Sequence, residues 1–503
     1  MRISILIFTI LLGIYGKLEA NWAEKTLNNM TIKEKIGQLF MVPACPNYES
    51  ETLLKVIKQY HIGSILIKQA HPLDQIPFMN TLQSHSLLPI LCAGDAEWGL
   101  GMRMKETLSF PKNLTLGAIE DGKLFYDFGK VVGEQCQLVG IHLNFAPVVD
   151  VNSNPQNPVI GMRSFGDNPQ KVGAQASQVL QGMQDAGVLA CVKHFPGHGE
   201  ATIDSHEDLP MVLHTKQELN AIEFIPFKQA CSQGVEAVMS AHLLVPALDS
   251  KNPASLSYPI ITELLQETWG FQGLVVSDAL NMKALMKNYS TEEIALKAFM
   301  AGHDLLLYGA HRYDDVEHIW KELIPKAFTS IEKGVKTGVI SEEVLDKHVL
   351  KLLKVKERLG LHQNRYLDLP ENLMDELNSS KACALRDRLF QEAVKALNPH
   401  FTPVSGESTA YIRLWEEEGE IEGETLVVGV NHSDQVPRLK EICAKHPRVV
   451  VALFTSPYLL KDLPAVPTVV GYEWCESSEK AVWNVIIGKE KGELSIRAPL
   501  LCD

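Results

Sequence analysis

VLACVKHFPGHGEATIDSH (Val188–His206) is an apolar run that breaks into a polar loop. Val188–Val192 reads as a short buried strand, because five apolar residues in succession leave no polar face. Lys193 and His194 sit where that strand would end. Pro196, Gly197 and Gly199 then prevent any regular helix or strand, so the chain continues as a loop carrying His198, Asp204 and His206. In a parallel α/β protein, polar residues just past a strand's C-terminal end lie on the face where active sites form. Each histidine alone reads as an incidental member of a solvated loop. The cluster as a whole reads as a site.

Seven further apolar runs flank this one. MTIKEKIGQLFMV (Met30–Val42) gives a capped helical turn and a strand ending at Val42. IGSILIK (Ile62–Lys68), PILCAGDAEWG (Pro89–Gly99) and IHLNFAPVVDV (Ile141–Val151) follow, and LACVKH (Leu189–His194) is the fifth run. VEAVMSAHL (Val235–Leu243), GLVVSDAL (Gly273–Leu280) and HDLLLYG (His303–Gly309) complete the set. Amphipathic stretches long enough for helices, such as Gly122–Leu138 and Pro169–Ala186, lie between them. Eight continuous apolar strands alternating with helices predict a parallel sheet covered by helices, and that count matches a (β/α)8 TIM barrel. Asp95, His194, His242, Asp278 and Asp304 recur at one end of the runs and are expected to mark the barrel mouth.

SEEVLDKHVLKLLKVKERLG (Ser341–Gly360) predicts an amphipathic helix with a capping box at its start and Gly360 at its end. QNRYLDLPENL (Gln363–Leu373) reads as a linker. ETLVVGVN (Glu424–Asn431), RVVVALF (Arg448–Phe454) and PTVVGYE (Pro467–Glu473) then alternate with weaker helical pieces, which predicts a small C-terminal α/β domain with at least three parallel strands. The expected organisation is a leader at 1–20, a barrel at 22–361, a connection at 362–380 and a second domain at 381–503.

The 503-residue chain is 46% hydrophobic and 21% charged, with a net charge of −14. That balance argues against a nucleic-acid partner, which requires clustered Lys and Arg. Arg2, the apolar core ISILIFTILLGIYG and Ala20 before Asn21 resemble a secretory signal peptide, too short for stable membrane insertion. A periplasmic or secreted location is the expectation, with an uncleaved anchor as the competing reading. Nine scattered cysteines contain no CxxC pair, so zinc thiolate is disfavoured; Cys92, Cys136, Cys191 and Cys231 are expected to be small core residues.

Asp278 ends an apolar strand. A carboxylate there can stabilise an oxocarbenium ion and form an ester with a sugar, or it can simply cap the next helix. Asp204 and His206 can form a carboxylate-oriented proton shuttle, or a surface turn. Lys193, His194, Arg163 and Arg103, with Asp95, can grip sugar hydroxyls, or pair as salt bridges at a barrel rim. His194 and His198 have the spacing of a metal pair on a helix, but Pro196 and Gly197 lie between them. No metal or other cofactor is expected.

KHFPGHG followed by Asp204-Ser205-His206, with Asp278 after an apolar strand, resembles the β-N-acetylhexosaminidase branch of family-three glycoside hydrolases. Asp95-Ala-Glu97-Trp-Gly99 with Arg103, IGMRSFG (Ile160–Gly166) and Ala301-Gly302-His-Asp304 agree in order. The resemblance covers residues 22–361, and LFTSPYLLKDLP (Leu453–Pro464) and GKEKGEL (Gly488–Leu494) are loosely similar to the second domain of longer members. Trp98 stands where the family often has a small residue. The resemblance implies that Asp278 is the nucleophile and His206 the acid/base, oriented by Asp204. Asp95, Arg163, Lys193 and His194 would bind the sugar, with Arg103 supporting Asp95. It also implies a retaining hydrolase of terminal β-linked N-acetylglucosamine in peptidoglycan fragments or chitin-type oligosaccharides. A phosphorylase on the same substrates, a catalytically silent cell-wall sugar-binding protein and a metallohydrolase are the competing readings.

Overall fold

The computed structural model describes residues 21–46, 50–204, 207–310, 315–397, 403–404, 409–416 and 424–489. The expected leader at 1–20 and His206 lie outside the described residues. Eight parallel strands form the first sheet: β1 Phe40–Ala44, β2 Ser64–Ile67, β3 Leu91–Gly94, β4 Leu143–Asn144, β5 Leu189–Phe195, β6 Ala237–Ser240, β7 Leu274–Ser277 and β8 Leu306–Leu307. Their spatial order is β7-β6-β5-β4-β3-β2-β1-β8. A parallel bridge between Val276 and Leu305 joins the two ends, so the sheet closes into the expected barrel. All eight strands are buried throughout, which is why the sequence shows unbroken apolar runs rather than alternation. Most runs are longer than their strands and continue into buried loops, whereas β1 and β5 reach past theirs, to Ala44 and Phe195.

The helices between them are fixed locally. Asn168 accepts from Lys171 N at 2.9 Å to start Pro169–Asp185, and Asp121 accepts from Lys123 N at 3.0 Å to start Gly122–Leu138. Such a cap contributes about 1 kcal/mol. Ser341 caps Glu342–Arg358 through Val344 N at 3.2 Å. The predicted capping box is absent, because Val344 stands where a Glu or Gln must reach back. Gly360 has φ 71°, the left-handed conformation that ends the helix.

Asp304 does not mark the barrel mouth. It precedes β8 and lies at the opposite end of the barrel from Asp278, fully buried. His348 Nδ1 at 2.7 Å and Lys351 Nζ at 2.8 Å hold it from the helix Glu342–Arg358, and it accepts from Val275 N at 2.8 Å. It fastens that helix under the barrel. A carboxylate beside an apolar run can precede a strand as easily as follow it, and periodicity does not distinguish the two.

The second sheet holds β9 Lys395–Ala396, β10 Thr409–Arg413, β11 Thr425–Val430, β12 Val449–Leu453 and β13 Thr468–Val470, in the order β10-β11-β12-β13-β9. Four strands are parallel, and β9 pairs antiparallel with β13. Short helices at Leu373–Leu377 and Ser380–Ala393 lie between the two sheets, where the sequence suggested only a linker and the start of a domain. Cys92, Cys136 and Cys191 are buried as expected, and Cys231 is half-buried. No helix of the described residues is long and apolar enough to cross a membrane.

Candidate active site

A cavity of about 350 Å³ opens at the C-terminal ends of the barrel strands. Asp95, Arg103, Arg163, Lys193, His194 and Asp278 all line it, joined by Lys68, Glu97, Trp98 and His198. Each comes from a strand end or the loop after it. Lys68 follows β2, Asp95 to Arg103 follow β3, and Asp150 and Arg163 follow β4. Asp278 follows β7 directly. Asp95, Arg103, Arg163, Lys193 and His194, from three separate segments, thus meet as the set predicted to grip a sugar.

Lys193 and His194 both reach the cavity although neighbours on a strand normally face opposite ways. The register between β5 and β6 shifts here: Lys193 pairs with Met239 and Phe195 with Ser240, which leaves His194 as the extra residue of a bulge. Beyond it, Gly199 lies against the Val151 carbonyl, where a Cβ would sit 1.6 Å from the oxygen. Only glycine allows that approach.

Charges alternate around the cavity. Lys193 Nζ lies 3.1 Å from Asp95 and 2.8 Å from Glu97. Arg103 Nη2 reaches Asp95 at 2.9 Å, the supporting contact that the resemblance implied. Arg163 forks onto Glu97 through Nε at 3.0 Å and Nη2 at 2.7 Å. Enclosure alone would raise the Asp95 carboxyl, but Lys193, Arg103 and Lys68 outweigh it and hold it well below the ordinary range. For Glu97, burial is likewise overcome, by Arg163 and Lys193, and the carboxyl is held down to about 2. Burial lowers the Lys68 ammonium, opposed by Asp95 and Asp278.

Asp150 was not singled out by the sequence reading, although it stands one residue before the end of the fourth run. Its side chain is fully buried and organises the loop. It accepts from His194 Nδ1 at 2.6 Å, from His194 N at 3.1 Å and from His198 N at 2.7 Å. Arg163 Nη2 lies 3.3 Å from the other ring nitrogen of His194. Because a guanidinium only donates, the geometry has Nε2 facing a donor and the Nδ1 proton facing Asp150. His198 is held down to about 4, chiefly by burial, and is uncharged near pH 7. Glu97 was quoted in the sequence motif without a role; its signal was the spacing Asp95-x-Glu97 at a strand end.

Asp278 donates its backbone N–H to Ser240 O at 3.0 Å and accepts from Ala279 N at 2.7 Å through Oδ1. His242 is buried beside this turn, with Nε2 2.9 Å from the Ala279 carbonyl and Nδ1 2.7 Å from Ser255 Oγ, and it does not line the cavity. Asp204 is half-buried outside the cavity lining, and its carbonyl closes a turn with Glu207 N at 2.9 Å. The loop carrying it is tied to the chain after Asp278 by Glu207–Lys283 at 2.7 Å and Asp208–Lys287 at 2.9 Å. Among the described residues, no group of three or more His, Cys, Asp or Glu is placed to hold a metal ion.

Comparison with known proteins places this geometry. The chain is 31% identical to beta-hexosaminidase A of Pseudoalteromonas piscicida over 61% of its own length and 55% of that protein's. It is 28% identical to a beta-N-acetylglucosaminidase/beta-glucosidase of Cellulomonas fimi, over 69% of the chain and 61% of the relative. The matches thus span under two thirds of these two relatives. The solved structure of a glycoside hydrolase family 3 beta-N-acetylglucosaminidase from Paenibacillus sp. str. FPU-7 superposes with a TM-score of 0.82 at 30% identity. That match covers 92% of this chain and 97% of that one. The family model of the glycosyl hydrolase family 3 N terminal domain matches residues 31–355, and the chain belongs to that family.

Proposed function

We propose that this protein is a retaining β-N-acetylhexosaminidase that releases terminal β-linked N-acetylglucosamine from peptidoglycan fragments or chitin-type oligosaccharides. The observation that carries the proposal is Asp278 directly after β7, on the wall of a cavity ringed by Asp95, Arg163, Lys193 and His194. In this reading Asp278 attacks the anomeric carbon and the aglycone oxygen leaves with a proton. Water then cleaves the glycosyl-enzyme ester, giving its own proton to the same acid/base group. The four surrounding side chains hold the sugar hydroxyls, and Arg103 orients Asp95.

The charges of the cavity favour His206 as the acid. Asp95 and Glu97 are held ionised by their cations, so neither can protonate a leaving group near neutral pH. His198 is held uncharged by burial, and the Nδ1 proton of His194 is committed to Asp150. The Asp204–His206 loop is therefore the source of the proton in this proposal, with Asp204 stabilising the imidazolium. Entry by a leader at 1–20 would place the enzyme in the periplasm or outside the cell.

The test is turnover of an aryl β-N-acetylglucosaminide and of a chitin-type oligosaccharide by wild type, Asp278→Ala and His206→Ala, with chelator, in phosphate and phosphate-free buffer. Asp278→Ala should be inactive on both. His206→Ala should lose more activity on the oligosaccharide, whose leaving group needs the proton. Absence of turnover by wild type on every β-linked donor sinks the proposal. Sugar 1-phosphate as product replaces hydrolysis by phosphorolysis, and loss of activity in chelator brings back a metal.

A further inference from the structure

The cavity wall carrying Arg163 is held from the second domain, and the holding residue is Glu473. Glu473 follows β13, two residues beyond Gly471, and its carboxylate points away from its own sheet toward the barrel. One oxygen, Oε1, accepts both the Lys112 backbone N–H at 2.8 Å and the Thr115 hydroxyl at 2.7 Å. Those donors lie at the start and within the one-turn helix Asn113–Leu116, whose first residue, Asn113, donates through Nδ2 to the Arg163 carbonyl at 2.7 Å. Behind that helix Gly117 lies so close to the next turn that a Cβ there would be 1.8 Å from the Phe165 carbonyl oxygen. The helix cannot shift without moving residues 163–165.

Two further observations point the same way. Leu114 is buried in the apolar core of the second domain, and Met162, the neighbour of Arg163, packs against that same core. Tyr472 has φ 65°, a conformation that a bulky residue rarely adopts. Its ring stays in the second-domain core while the following residue is turned outward, and strain of this kind persists where the surrounding structure fixes it.

We propose that Glu473 is a positioning residue of the active site, setting Arg163 through the helix Asn113–Leu116, so that the second domain is part of the sugar-binding machinery. The coupling is a chain of short hydrogen bonds and close backbone contacts rather than spatial proximity alone. This rests on the proposed function for its kinetic consequence but not for its structural one.

The test uses the full chain with Glu473→Ala, Glu473→Gln and Arg413→Ala. Gln keeps an oxygen able to accept from both Lys112 and Thr115; Arg413→Ala weakens the second domain at its Glu479 pair, 2.7 Å, away from this path. Glu473→Ala should raise KM about tenfold with a smaller change in kcat, since two hydrogen bonds to a carboxylate and its 3.7 Å pairing with Lys112 Nζ are lost and the sugar grip loosens. Glu473→Gln should stay within about twofold of wild type, and Arg413→Ala should leave KM unchanged. Amide exchange in residues 153–166 should accelerate in Glu473→Ala alone, while the barrel strands stay protected. Unchanged exchange in that segment overturns the inference whatever the activity. So does equal damage from Gln and Ala, or an equal rise in KM from Arg413→Ala. A wild type without turnover defeats the proposed function instead, and the exchange measurement still decides this one.

Discussion

Replacing Asp150 by Asn removes one charge and almost no volume from the best-enclosed acceptor in the site. The carboxylate takes three different donors: His194 Nδ1 at 2.6 Å, His194 N at 3.1 Å and His198 N at 2.7 Å. An amide has one oxygen, so in either orientation its NH2 faces a donor. If it faces His194, the ring must move its proton to Nε2, where Arg163 Nη2 already donates from 3.3 Å. The exchange therefore loses a charge-assisted bond, about 1.5–3 kcal/mol, and adds a donor–donor conflict. A total near 3 kcal/mol, shared between folding and transition-state binding, lowers kcat/KM by roughly tenfold to a hundredfold. Kinetics on the aryl glycoside and urea unfolding of the same preparation measure both shares. Asp150→Ala, which leaves every donor unanswered, should be worse on both. An Asn variant with kcat/KM within about twofold of wild type and an unshifted urea midpoint would refute the assigned tautomer and the role of Asp150 in holding it.

Three other outcomes follow from the same geometry. The Glu97 carboxyl is held down to about 2 in the fold, so its contribution is complete above the ordinary value of 4.5 and disappears as pH falls through the folded value. Glu97→Gln should cost on the order of 3 kcal/mol at pH 7 and show a flatter loss of stability between pH 5 and 2, read by melts across that range. Lys356 is fully buried against Gln38 Oε1 at 2.6 Å and Gly63 O at 2.8 Å, and burial lowers its ammonium to about 7. The unfolded chain then binds the extra proton between pH 7 and about 10.4, so this group makes stability rise with pH there, by at most about 1.4 kcal/mol per unit. Wild type minus Lys356→Met should show that slope; a flat difference would contradict it. The exposed pairs Glu207–Lys283 and Asp208–Lys287 tie the Asp204 loop only weakly, because solvent screens both charges. Lys283→Ala/Lys287→Ala should change kcat by a few-fold at low salt and match wild type at 1 M salt, where screening reaches within about 3 Å. An equal difference at both salts would dismiss the tether.

Sequence patterning reached far into this fold because a closed parallel barrel buries both faces of every strand. Each of the eight apolar runs overlaps one strand, and the helices Gly122–Leu138 and Pro169–Asp185 fall where amphipathic spacing put them. The same physics hid the direction of polar residues beside a run, and Asp304 went to the wrong end of the barrel for that reason. A capping box was read at Ser341 where Val344 cannot supply the reciprocal bond.

The residues of the cavity divide in the same way. Asp95, Arg103, Arg163, Lys193, His194 and Asp278 were legible as chemistry-bearing side chains at loop starts, and strand order alone carries such positions to one face of a barrel. Who pairs with whom was not legible. Glu97 between Lys193 and Arg163, Asp150 beneath two histidines and Glu473 reaching in from another sheet depend on distances across 66, 44 and 361 residues of chain. A bulge in β5 further turned two neighbouring residues toward one cavity, against the alternation a strand pattern assumes. The sequence by itself determined the barrel, because burial is written locally as unbroken apolar runs. Only the tertiary structure decided the proton positions and the charge pairing, because those are set by contacts between segments that the sequence keeps apart.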